Sequence, residues 1–168
     1  IEVGGRNVTR LGPNAKLRDA GIAYVLQDSS VFPDMTVEQN LWLGGHLMGH
    51  RADARHATER VFERYAVLAT HRNEPARVLA GGERRLLEIS RALMLSPKII
   101  LLDEPTAGVS PLMTKALGET ITKLRADGLT FAIIEHDMDV IAELCSPIFV
   151  LAEGRTLMSG TFQEVVSN

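Results

Sequence analysis

The stretch IILLDEP, Ile99 to Pro105, decides how this chain is read. Four large aliphatic residues lead into two adjacent carboxylates, Asp103 and Glu104, and a proline then stops the extended run. A continuous apolar run of this kind fits a strand of a parallel sheet buried on both faces. In open parallel sheets, ligands collect just beyond the carboxyl ends of the strands. Asp103 at that end fits a ligand for Mg²⁺, directly or through water. Glu104 fits a group that orients and deprotonates an attacking water. The alternative is that both carboxylates cap the loop and face solvent, and the short motif alone leaves the two readings open.

Working outward, LAGGE (Leu79–Glu83) precedes a helix whose buried stripe is Leu86, Leu87, Ile89, Leu93 and Met94, and Ser96-Pro97 ends it. After the carboxylates, Met113 to Arg125 reads as helix, Gly128 breaks it, and LTFAIIEHD reads as a second buried strand. Strand, helix, strand argues for an α/β fold with a parallel sheet. Upstream, IEVGGRNVT (Ile1–Thr9) reads as the end of a hairpin, and GIAYVLQ as a strand ending at Gln27. Thr36 and Gln39 form a capping box on a helix that stops at Gly44-Gly45. From Ala52 to Ala69, the spacing of Ala57, Val61, Tyr65 and Leu68 predicts one amphipathic helix. PIFVLAEGRTLMSG reads as a hairpin about Glu153-Gly154, and Thr161 with Glu164 caps a last helix running to Asn168.

Bulk properties narrow the classes. The chain has 168 residues, enough for one domain with a core, and a net charge of −3. That charge supplies no general pull toward nucleic acid or anionic lipid. Cys145 is the single cysteine, so no internal disulfide is possible, and a reducing cytosol fits. No apolar run approaches the roughly 18 residues that span a bilayer. The start, Ile1-Glu2-Val3-Gly4-Gly5, lacks the charged and apolar regions of a signal peptide and reads as mid-domain sequence. His46, His50 and His56 lack an H-E-x-x-H pattern and read as a solvated helix end. Arg84 and Arg85 fit either a phosphate contact or a solvated helix face, the commoner arrangement.

Four more elements bear on chemistry. Gly81 and Gly82 let backbone N–H groups approach an anion at a helix N-terminus, which carries about half a positive charge. His136 follows the second buried strand, within reach of a γ-phosphate at the same sheet edge. The Gln27 amide can meet both a metal and a water. AGVSP (Ala107–Pro111) is a tight loop directly after the carboxylates. Each also has a plain structural reading: an ordinary loop, a loop histidine, a polar strand end, a connector.

In order and spacing, these motifs resemble the ATP-binding subunit of ABC transporters, over essentially the whole chain. The resemblance implies a P-loop NTPase core over residues 1–33 and 96–168 and an α-helical subdomain over 34–95. It makes Gln27 the Q-loop glutamine and Leu79, Ala80, Gly81, Gly82 and Glu83 the signature loop. Asp103 and Glu104 become Walker B and catalytic glutamate, Ala107–Pro111 with Ser110 the D-loop, and His136 the switch histidine. The implied cofactors are ATP and Mg²⁺, the metal held on the side of Asp103 and Gln27. The implied partners are a second ATP-binding subunit, packed head to tail, and transmembrane permease subunits, with no nucleic acid. The place is cytoplasmic, peripheral at the inner face of the cell membrane. FPDMTVEQNL, GERRLLEISRALM and IIEHDM are most similar to importers of branched-chain amino acids and related polar solutes.

Three departures qualify the resemblance. Ala80 stands where the signature usually has serine, removing a hydroxyl donor typically worth about 1.5–3 kcal/mol toward a charged acceptor. Ser110 stands where the D-loop usually has aspartate. No G-x-x-x-x-G-K-[ST] occurs; GPNAK (Gly12–Lys16) lacks the second glycine and the hydroxyl residue and reads as a surface turn with a short helix. The family places the phosphate loop upstream of the opening hairpin. The chain alone is therefore expected to bind ATP weakly and to leave apolar sheet surface exposed. Non-transport ABC ATPases and a non-catalytic remnant are the competing readings.

Overall fold

The computed structural model describes residues 1–27 and 30–167. It opens with a short antiparallel hairpin, β1 (Glu2–Val3) and β2 (Arg6–Asn7). Helix α1 (Pro13–Ala20) follows, with Gly12 at its N-cap and Pro13 in the first turn, where a missing N–H leaves nothing unpaired. GPNAK is thus the start of a helix. Strands β3 (Ile22–Val25), β4 (Ile99–Asp103) and β5 (Thr130–Ile134) form a parallel sheet in that order. Val25 lies opposite Leu102, and Asp103 opposite Ile134. The two carboxylates therefore leave the sheet from its middle strand.

Between β3 and β4 the chain is helical. Helix α2 (Val37–Gly44) starts at the expected capping box: Gln39 N–H donates to Thr36 Oγ1 at 3.1 Å, and Thr36 N–H to Gln39 Oε1 at 2.9 Å. Asn40 is fully buried and fastens the preceding turn, accepting from Phe32 N–H at 2.9 Å and donating to Phe32 O at 2.9 Å. The single helix expected over 52–69 is two: α3 (Arg51–Arg64) and α4 (Ala66–Thr70), broken at Tyr65 (φ −126°, ψ 87°). The apolar spacing survives the break because Val61 and Leu68 enter the same cluster from two directions. Packing has overridden helix continuity.

Helix α5 (Gly81–Leu93) is the structural hinge of the fold. Leu87 and Met94 belong to the helical cluster, and Ile89 to the sheet cluster. Gly44 brings α2 onto it so closely that a Cβ there would stand 2.5 Å from Arg91 O. Helix α6 (Pro111–Ala126) starts two residues before the expected Met113, with Pro111 in the first turn, and adds Leu117, Ile121 and Leu124 to the sheet cluster.

The expectation that both strands are buried on two faces is corrected. Ala23, Val25, Ile100 and Leu102 are buried against α5 and α6, which stack on one side of the sheet. On the other side, the row Tyr24–Leu101–Ala132 continues to Ile134, and Tyr24 and Ile134 are 53% and 62% exposed. The chain ends with α7 (Met138–Leu144), the antiparallel pair β6 (Ile148–Ala152) and β7 (Arg155–Gly160), and α8 (Phe162–Val166). Phe149, Leu151 and Leu157 on that hairpin are also exposed. Thr161 and Glu164 form the expected capping box; Asn168 lies outside the described residues. Among the described residues, no helix is long and apolar enough to cross a membrane.

Candidate functional site

The parallel sheet delivers three polar groups to one edge. Gln27 stands two residues past β3, Glu104 one past β4, and His136 two past β5. Gln27 Nε2 donates to Glu104 Oε2 at 2.6 Å, and His136 Nδ1 stands 3.7 Å from Glu104 Oε1. His136 is exposed and Glu104 half-buried, so water reaches both. Beside them Tyr24 donates its hydroxyl to Asp103 Oδ2 at 3.2 Å. Loss of solvation, and then the Asp103 carboxylate, push the Tyr24 hydroxyl above its ordinary pKa.

The Glu104 backbone has φ 41°, a left-handed conformation that side-chain-bearing residues rarely adopt. Such strain persists only where the surroundings over-determine it. Here Glu104 N–H donates to Ile134 O at 2.8 Å, and Glu104 O accepts from Arg85 Nη2 at 2.9 Å.

Glu135, which the sequence reading passed over, braces the histidine. Its side chain is 0% exposed. One carboxylate oxygen accepts the Thr106 N–H at 3.0 Å and the Thr106 hydroxyl; the other accepts His136 N–H at 2.9 Å and Asp137 N–H at 3.4 Å. Burial acts to raise its pKa. The hydrogen bonds from Thr106, His136 and Asp137 outweigh that and hold the carboxyl below its usual range. A carboxylate directly after an apolar strand was the available signal.

Arg85 is neither a solvated face nor a phosphate contact: it is 6% exposed. It pairs with Glu88 at 2.7 Å and donates to Leu26 O at 2.8 Å, Pro105 O at 3.0 Å and Glu104 O at 2.9 Å, with Gln27 O at 3.4 Å. The correction has a simple cause. Helix α5 is enclosed on both sides, and the one polar direction left to Arg85 is the row of carbonyls at the strand ends.

The 79–83 loop is more varied than its sequence suggests. Leu79 is buried in the helical cluster, so its side chain anchors the loop. Ala80 and Gly81 are exposed at the start of α5. Glu83 Oε2 accepts the Ala80 N–H at 2.9 Å, half of a capping box whose other half Ala80 cannot supply. A Cβ at Gly82 would stand 2.7 Å from Met113 Cβ. Ser110 is the N-cap of α6 without a side-chain hydrogen bond. Among the described residues, no hydrogen bond or ion pair joins 79–83 to the side chains of Gln27, Asp103, Glu104 or His136.

For a metal, the described residues offer no group of three or more His, Cys, Asp or Glu. Asp103 and Gln27 supply one carboxylate and one amide oxygen. That set fits Mg²⁺, which keeps waters and phosphate oxygens and seldom takes an all-protein cage.

Known proteins resemble this chain in sequence and fold. A family model described as ABC transporter matches residues 1–107. A high-affinity branched-chain amino acid transport ATP-binding protein of Pseudomonas aeruginosa, BraG, is 33% identical over 93% of this chain and 66% of its own length. BraF of the same organism is 33% identical over 100% of the chain and 72% of its own. The lipopolysaccharide export ATP-binding protein LptB of Haemophilus influenzae is 32% identical over 100% and 70%. A solved ATP-binding cassette of an ABC transporter in its ADP conformation superposes with a TM-score of 0.78 at 30% identity, over 92% of this chain and 68% of that one. The parallel sheet, the helical insertion between β3 and β4, and these matches agree: the chain belongs to the ABC transporter family, with the α/β fold of its ATP-binding cassettes.

Proposed function

We propose that this chain works as the ATP-binding and ATP-hydrolysing subunit of a solute importer. One observation carries the reading: Gln27, Glu104 and His136, from three neighbouring strands, meet at the carboxyl edge of the sheet with Asp103 beside them. In this reading Glu104 Oε1 takes the proton of an attacking water, while its other oxygen is held by the Gln27 amide. His136 contacts the γ-phosphate. Asp103 and the Gln27 amide oxygen would hold Mg²⁺, which would neutralise charge developing on the transferred phosphoryl group. The exposed Ala80–Gly81 turn offers the N–H donors of Gly81, Gly82 and Glu83 to the nucleotide of a second copy packed head to tail, with Ser110 alongside; the Ala80 N–H is held by Glu83. Among the described residues that loop makes no hydrogen bond to the side chains of the Glu104 group, which fits its serving another site. A permease docked on the helical subdomain (34–95) holds the subunit at the inner face of the membrane and receives the work of closure. The names of BraG and BraF support branched-chain amino acids as the solute.

The test uses the full-length protein. Glu104→Gln is expected to lower ATP turnover by about 10²–10⁴-fold while retaining nucleotide binding. Normal turnover by that variant overturns the role. Reconstituted with its permease in vesicles, the parent protein is expected to drive ATP-dependent leucine uptake. ATP turnover without uptake redirects the solute to the chemistry of other relatives, named for lipopolysaccharide export and ribose import.

A further inference from the structure

We propose that the buried Arg85–Glu88 pair is a positioning device that locks Glu104 and the Gln27 loop to the helix carrying residues 80–83. The inference rests on the reading of Glu104 as the base.

Three observations converge. First, both side chains of the pair are nearly fully buried, 6% and 4% exposed, at a separation of 2.7 Å. A buried ion pair is weak evidence of stabilisation, because desolvation consumes most of its Coulomb energy, so its placement needs another reason. Second, the remaining guanidinium N–H groups are spent on backbone carbonyls at the active edge: Leu26 and Gln27 on one side, Glu104 and Pro105 on the other. Those are the peptides that aim the two side chains joined at 2.6 Å. A planar fork with five donors can bridge four carbonyls and a carboxylate; an ammonium cannot. Third, the far side of the Gln27 loop is gripped from the same helix. Ser30 N–H donates to Glu88 Oε1 at 2.9 Å, and Ser30 O accepts from Arg91 Nη1.

The clamp also explains the strained backbone of Glu104. Left-handed φ at a glutamate relaxes unless both of its peptide flanks are tied, and Arg85 supplies the tie at its carbonyl. Helix α5 starts with the exposed Ala80–Gly81 turn. Any displacement of that turn by a ligand is therefore felt directly at Glu104 and Gln27, through one side chain. Arg85 touches no reacting atom; it acts through Glu104.

The experiment uses full-length protein and five variants: Arg85→Lys, the neutral pair Arg85→Met with Glu88→Gln, Glu104→Gln, and each of the two Arg85 changes combined with Glu104→Gln. Replacing both partners avoids stranding a buried charge, and Gln at 88 still accepts the Ser30 N–H, but four carbonyls lose their donor, so the paired variant is expected to fold and to melt below the parent temperature. Arg85→Lys keeps a charge for Glu88 and serves if the pair does not fold. Either change is expected to lower kcat by about 100-fold, as misplacement of a catalytic group does. KM for ATP and nucleotide affinity should stay within about threefold, since only transition-state contacts are lost. In the Glu104→Gln background, the same Arg85 changes should leave the residual single-turnover rate unaltered, the signature of two residues acting through one step.

Losses that multiply in the combined variants, a matching loss of nucleotide affinity, or normal kcat in a folded Arg85 variant each overturn the positioning role. Full turnover by Glu104→Gln alone overturns the base assignment, and this inference with it, so the two failures are read separately.

Discussion

Two oxygens of Glu135 hold four donors and tie the His136 and Asp137 backbone to Thr106. An amide cannot replace the carboxylate: whichever end of a glutamine carries the NH₂ meets N–H donors. Glu135→Gln is expected to cost about 1–3 kcal/mol near neutral pH, the penalty of buried groups left unpaired. Because folding depresses the pKa of Glu135, the unfolded chain binds a proton more readily than the folded one. Its contribution is complete above the ordinary carboxylate range and disappears as pH falls through the folded value. Urea melts of parent and variant should therefore converge on acidification; a gap independent of pH contradicts the account. At this scale the sequence was uneven. Asp103, Glu104, Gln27 and His136 were legible because each ends an apolar strand. Arg85 and Glu135 were not, since a charged residue beside a motif looks solvated until the elements enclosing it are known.

Among the elements, α5 and α6 approach closely at their first turns. Gly82 sits in the first turn of α5, directly on Met113 in the first turn of α6. Its glycine thus has a packing reason beside any ligand-binding one. Gly82→Ala is expected to destabilise by about 1–3 kcal/mol through overpacking. Met113→Gly, which removes the clashing Cβ as well as the rest of the side chain, should relieve it, so that thermal melts of the two single variants and the double are strongly non-additive. Additive shifts would place the clash elsewhere. The break at Tyr65 belongs to the same scale. Periodicity reports which residues face a core, and Ala57, Val61 and Leu68 do face it. It does not report whether the backbone between them stays helical.

Across the whole molecule, two hydrophobic clusters share α5, with Leu87 in one and Ile89 in the other. Neither cluster is complete without that helix, so the chain should unfold in a single transition. Trp42, the single tryptophan, reports on the helical part, and far-UV circular dichroism on the whole. Their denaturation midpoints are expected to coincide. Leu87→Ala, which removes about 2–5 kcal/mol of packing, should shift both together. Separate midpoints would mean two independently folding units. The uncovered row Tyr24–Leu101–Ala132–Ile134 and the exposed apolar residues of the β6–β7 hairpin add surface that this chain does not bury by itself. The total stability to be divided by such variants is correspondingly small.

The sequence by itself determined the parallel α/β core and most helix starts. It also determined which side chains stand at the ends of the three strands, because alternation, capping boxes and a carboxylate after an apolar run are local signals. Only the tertiary structure decided that Glu104 lies 2.6 Å from Gln27 and 3.7 Å from His136, that the sheet is covered on one face, and that Arg85 turns inward to grip the peptides of both loops. Those facts depend on where α5 and α6 stack relative to the strands. Stacking is settled by the summed fit of distant side chains, which no short stretch of sequence contains.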